Sequence, residues 1–179
     1  RQRQMCIRDS NNVSSGQPAN KIYAYDSSGE NFHGPRTALT QLPTSSQWSN
    51  VSLKNNTRMI LNENAGNTTT GGTLPSNYSY TGCSARLLTI QEIRKGTENN
   101  NIPTWEVGEL DNFTYLLENT KFSSDKNNAW VWWLENARFT NSTNTHNVNA
   151  YRRYVNNVTV STNNGVRPAI EVSKTNIEY

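Results

Sequence analysis

The segment from Glu135 to Asn157 is loaded with Asn, Thr, Tyr and Arg, and from Asn141 to Asn149 only Val148 is aliphatic. Side chains of this kind recognise partners rather than transform them. An amide offers both a donor and an acceptor, and Tyr and Arg add contact area and charge at low entropic cost, as in antibody paratopes. The candidate ligand-binding residues are Asn136, Asn141, Asn144, Asn147, Asn149, Tyr151, Arg153 and Asn156. All but Asn136 are expected to face solvent and to share one patch. The competing reading is an Asn-rich solvent loop with no ligand.

Ingredients for other chemistry are sparse. His33 and His146 are the only histidines, and neither sits at metal-ligand spacing from a second ligand. His146 reads as an exposed loop residue. No Gly-x-Ser-x-Gly, phosphate-binding loop or dinucleotide fingerprint occurs. A Cys83–His pair is the remaining catalytic alternative, but no charge near Cys83 in sequence would lower its pKa. Asp111 and Asp125 are isolated, whereas calcium prefers several oxygen ligands with carboxylates among them. The expectation is no catalytic residue, no metal and no cofactor.

Composition sets the frame. Hydrophobic residues make up 33% of the 179 and charged residues 17%, with a net charge of +3. Roughly one residue in six is Asn, a poor helix former and a good turn former. Five Trp, eight Tyr and four Phe supply large buriable area. Lys and Arg are scattered and form no basic stripe, so nucleic acid is not an expected partner. No apolar run approaches transmembrane length, so no direct membrane insertion is expected.

Residues 3–9 resemble the in-frame translation of a transposon-type sequencing adapter, so residues 1–10 read as a scar carrying Cys6; a basic leader is the alternative. Residues 11–20 read as a disordered lead-in, and residues 21–179 as a single domain.

The elements that must position the polar insert are short. Lys21–Tyr25 alternates and suggests a strand; Ser46–Leu53 and Thr57–Leu61 are weaker strand candidates. Asn62–Tyr80 reads as a long polar loop. Thr89-Ile90-Gln91-Glu92 is a capping box opening a helix, with Gly96 as its stop. A second short helix is expected over Asp111–Glu118. Trp130–Leu134 suits a strand buried on both faces. Tyr151–Ser161 alternates, Asn163-Asn164-Gly165 reads as a hairpin turn, and Val166–Val172 as the terminal strand. Pro168 restricts that strand to an edge or a bulge.

Ala85-Arg86-Leu87-Leu88-Thr89-Ile90-Gln91-Glu92, then Trp133-Leu134, then Gly165-Val166-Arg167-Pro168-Ala169, form an ordered set. This order resembles the C-type lectin fold in its formylglycine-generating-enzyme-like branch, over about residues 80 to 174. That branch includes bacterial surface domains and the variable proteins of diversity-generating retroelements, some behind pilin-like N-termini. The resemblance implies an α+β fold, with short helices packed on a small, mainly antiparallel sheet. It also implies structural roles for Arg86 and Arg167. Trp133-Leu134-Glu135-Asn136 departs from the Trp-Asn-Asp of the calcium-binding subgroup, and one Cys does not supply the reactive pair of the sulfatase-modifying enzymes.

The expectation is an extracellular or cell-surface recognition or adhesion domain whose partner is a surface protein or glycan. The alternative from another class is a structural pilin-like or stalk module.

Overall fold

The computed structural model describes residues 22–59, 61–63, 77–95, 131–149 and 154–172. Its elements in chain order are β1 (Ile22–Tyr23), α1 (Arg36–Leu39), β2 (Thr57–Met59), β3 (Asn77–Ser79), α2 (Ile90–Lys95), β4 (Val131–Ala137), β5 (Asn144–Asn149), β6 (Tyr154–Thr159) and β7 (Asn164–Gly165). A five-stranded sheet runs β1-β7-β4-β5-β6, and β2 and β3 form a separate antiparallel pair. The described chain is thus an α+β arrangement, mostly sheet with two short helices. The expected helix over Asp111–Glu118, residues 1–20 and Trp130 lie outside the described residues.

The apolar run expected to be a buried strand is one, and it continues further. Every residue of β4 from Val131 to Ala137 is buried, including Glu135 and Asn136. Trp133 packs edge-on against Tyr25, with ring centroids 5.7 Å apart, in a cluster with Leu87, Ala137, Val160 and Val166. Its indole N–H donates to the Tyr23 carbonyl at 2.7 Å. Gly34 lies against this cluster at φ 74°, where a Cβ would come within 2.7 Å of the Tyr78 ring. That position has no room for a side chain.

Burying two polar residues in the central strand demands partners. Glu135 receives the Arg58 Nε–H from β2 at 2.5 Å. Burial pushes the Glu135 carboxyl up, and the Arg58 guanidinium pulls against that shift without cancelling it. Asn136 reaches α2: its Oδ1 accepts the Ile90 N–H at 2.8 Å, and its Nδ2 donates to the Asn62 carbonyl at 2.9 Å and to Gln91 Oε1 at 3.0 Å.

The capping box forms as its residues predict. Glu92 Oε2 accepts the Thr89 N–H at 2.9 Å, and Thr89 Oγ1 accepts the Glu92 N–H at 3.1 Å. The same carboxylate takes two hydrogen bonds from Arg86, whose Nε donates to Glu171 at 3.0 Å. Arg86 also exchanges backbone hydrogen bonds with Ala169. One arginine therefore joins α2 to the last described segment. Arg167, also buried, stacks 4.4 Å from the centroid of Trp132.

Several expectations are corrected. Asn163-Asn164-Gly165 is not the hairpin turn. The chain turns earlier, where the Thr162 N–H donates to the Thr159 carbonyl at 3.0 Å. Asn164 and Gly165 instead form β7, antiparallel to β1 and parallel to β4 at Trp132. Tertiary pairing on both sides outweighs the local turn preference. The expected terminal strand Val166–Val172 is reduced to an isolated bridge from Ala169 to Arg86, next to Pro168, which cannot donate to a ladder. Asn77–Ser79, expected as loop, pairs with β2. Ser46–Leu53 forms turns rather than a strand.

The core and the Asn136 hub lead to separable costs. Trp133→Ala should destabilise by about 3–5 kcal/mol, the usual range for a buried aromatic. Asn136→Ala, which takes the acceptor from the buried Ile90 N–H, should cost about 1–3 kcal/mol. Urea denaturation of both variants checks this; a cost below about 0.5 kcal/mol at either site, as at ordinary surface positions, would refute its structural role.

A pH dependence also follows. Burial alone would raise the Glu92 carboxyl, but the Arg86 and Thr89 hydrogen bonds outweigh it, so its pKa lies below the ordinary 4.5. A depressed carboxyl contributes stability above its unfolded pKa and loses it as pH falls through the folded value. The melting-temperature gap between the native protein and Glu92→Gln should therefore be full above about pH 5 and shrink below about pH 4. Glu135, shifted the opposite way, is common to both proteins. A gap independent of pH would contradict the assignment.

Candidate recognition face

The polar insert becomes a meander. β4 pairs with β5, with an irregularity between Trp133 and Ala137, and β5 pairs with β6 in unbroken register from Asn144↔Thr159 to Asn149↔Tyr154. The β4–β5 connection is held from behind by Asn31, which is fully buried. Its Nδ2 lies 3.1, 2.9 and 2.6 Å from the carbonyl oxygens of Arg138, Asn141 and Asn144, and its own N–H donates to the Ser142 carbonyl. A segment more than a hundred residues upstream fixes this loop. Asn141 Oδ1 closes the tip by accepting the Thr143 N–H at 2.9 Å and the Thr143 hydroxyl at 2.8 Å.

Side chains alternate across the sheet, and the alternation divides the candidate residues. Asn144 is half-buried on one face; Asn147, Asn149 and Asn156 are on the other. Asn141 is exposed at the loop tip, and Asn149 and Asn156 are half-buried. Asn147 is buried opposite Asn156 and beside Trp133, and Asn136 is the buried hub of α2. The expectation of one solvent-facing patch is therefore corrected for Asn147, which the register turns into the protein, and for Asn144, which lies on the face opposite Asn149 and Asn156; the candidate binding residue Asn136 is buried as well. Tyr151 and Arg153 lie outside the described residues.

Two residues not singled out in the sequence join Asn141 and Asn144. Arg138, half-buried, donates through Nε to Thr140 Oγ1 at 3.1 Å and through Nη1 to Asn157 Oδ1. Asn144 Nδ2 donates to the same Asn157 oxygen at 3.1 Å. The i, i+2 strand period linking Asn144, His146 and Val148, carried across to Asn157 and Val155, is the signal that could have found this cluster.

His146 is buried in β5 rather than exposed on a loop, with Nε2 3.6 Å from Glu63 Oε2. That oxygen also accepts the Phe139 N–H at 2.8 Å. Burial works to raise the Glu63 carboxyl, but His146 and the Phe139 N–H overcome it and its pKa is lowered. At the other histidine, Asp26 Oδ2 and Ser28 Oγ both approach His33 Nδ1, at 3.3 and 3.2 Å. Acid and hydroxyl thus address one nitrogen, and the ring does not bridge them as a proton relay requires. Cys83 is half-buried beside a turn, and burial pushes its thiol up. Among the described residues no group of three or more His, Cys, Asp or Glu is placed to hold a metal, and no helix is long and apolar enough to cross a membrane.

No curated protein and no solved structure matches the chain. A family model described as a domain of unknown function, DUF6273, matches residues 48–174, from the turn before β2 past the end of the Arg86–Ala169 bridge. The chain belongs to the DUF6273 family.

Proposed function

We propose that this chain is a recognition domain displayed outside the cell, with a C-type-lectin-like α+β fold and a binding surface built on the β4–β5 loop and the β5–β6 strands. The observation that carries the reading is the division of labour around Asn31. A buried amide fixes the loop backbone at Arg138, Asn141 and Asn144, while the Asn141 side chain is left exposed. Binding sites are commonly made this way, with adaptable polar groups on a rigid support. The partner in this reading is a surface protein or glycan, and the domain carries out no chemical step on it. Asn-rich codons in this segment fit the variable proteins of diversity-generating retroelements, and the resemblance around Arg86, Trp133 and Arg167 supports the same fold.

The test is a pair of selections, peptide display and a glycan array, with the whole chain as bait. Substitution to Ala at Asn149, Tyr151, Arg153 and Asn156 should change stability by no more than about 0.5 kcal/mol each, as at surface positions. The same changes should abolish capture of selected binders, with Tyr151 and Arg153 the strongest by residue type. Selections that return nothing dependent on these residues, with loss of self-assembly in the variants, would favour a stalk module instead.

A further inference from the structure

The β2–β3 pair ends in a strand whose outer edge is open. The Tyr80 N–H donates to the Asn56 carbonyl at 2.7 Å, one rung beyond Thr57↔Ser79. Backbone hydrogen bonds alternate along an antiparallel pair, so Arg58 and Tyr78 also face each other, while the N–H and C=O groups of Asn77 and Ser79 point away from β2. Among the described residues no hydrogen bond takes up these four groups. Both residues are exposed, whereas Tyr78 between them is buried against Gly34.

An edge of this kind is ordinarily blunted by Lys, Pro, a bulge or a covering segment. None of these is present at β3: Asn77-Tyr78-Ser79 is uncharged, its register with β2 is unbroken, and its outward residues are exposed. Whatever pairs with it must offer N–H and C=O groups at the same two-residue spacing. A foreign strand is selected through pockets for its side chains. The outer side chains here, Thr57, Met59, Asn77 and Ser79, all stand exposed rather than lining a pocket.

A second copy of β3 needs no such selection. Laid antiparallel about a twofold axis through Tyr78, it sets Asn77 opposite Ser79 of the second copy, and Ser79 opposite Asn77 of the second copy. Each pairing exchanges two N–H···O bonds, so the four free groups of each strand are all used. No charged side chain lies on these rungs. At β6, the edge of the larger sheet, Arg138 is bonded to Asn157, and a twofold contact there would set two cations close together.

We infer that β3 is a self-association edge: two copies of this chain join β3 to β3, making one four-stranded antiparallel sheet in the order β2-β3-β3-β2. The ladder is short, so the contact is weak and forms at high local concentration. It is independent of what the β5–β6 surface binds.

Sedimentation equilibrium of the whole chain over a range of concentrations reads the association. The native protein should show a reversible monomer–dimer equilibrium. Asn77→Lys combined with Ser79→Lys, both at exposed positions, sets like charges opposite each other on both rungs. It should weaken the dimer at least about tenfold and leave the melting temperature of the dilute protein unchanged. A second measurement fixes the register without depending on that variant. With Cys6 and Cys83 replaced by Ser, chains carrying Asn77→Cys are mixed with chains carrying Ser79→Cys. Residues paired this way across a ladder have Cα atoms about 5.5 Å apart, within disulfide reach. Oxidation should cross-link the mixture and leave each chain alone uncrosslinked. A native protein that stays monomeric at every concentration, a dimer indifferent to the two Lys substitutions, or a mixture that cross-links no more than its separate components would overturn the edge contact.

Discussion

The structure depends on what β4 does with the polar residues it buries. A strand with Trp132, Trp133 and Leu134 fully enclosed goes on to enclose Glu135 and Asn136 as well. Neither can be left unmatched in a dry interior. Glu135 therefore draws Arg58 and the β2–β3 pair against the main sheet, and Asn136 draws the start of α2. The elements packed on the sheet are placed by hydrogen bonds to one strand, and apolar contact fills in around them.

The same logic operates at the edge of the fold. Asn31 and Asn136 are both buried amides serving distant backbone: one holds a loop, the other a helix terminus. In each case a side chain replaces secondary structure as the source of backbone partners. A chain so rich in Asn can build long irregular segments without orphaning their peptide groups. The abundance of Asn is thus partly a structural resource, and the amides that face solvent are those left over once the interior has been satisfied.

How much of this was legible in the sequence follows from range. The capping box at Thr89 and the buried Trp-rich strand are signals carried within a few residues, and both appear in the fold as expected. The direction of each Asn is not local. Asn136, Asn147 and Asn141 are the same residue type in the same polar segment, yet strand register buries the first two and exposes the third. Asn164-Gly165 carries a strong turn signal, but neighbours at Tyr23 and Trp132 claim it for the sheet. Arg138 and Asn157 are unremarkable until pairing of β5 with β6 brings them together.

The strand order has a consequence for time. β1, the first described strand, pairs with β7, the last, and the Tyr25 hydroxyl and the Asn31 amide reach partners 110 or more residues away. Such closures restrict a long stretch of chain before they return any contact energy. Folds dominated by separations of this kind collect their native contacts late, on the millisecond-to-second scale rather than the microsecond scale of helical bundles. Until β1 docks, β7 lacks one neighbour and the loop at Arg138 lacks its Asn31 support, so that loop acquires its shape late.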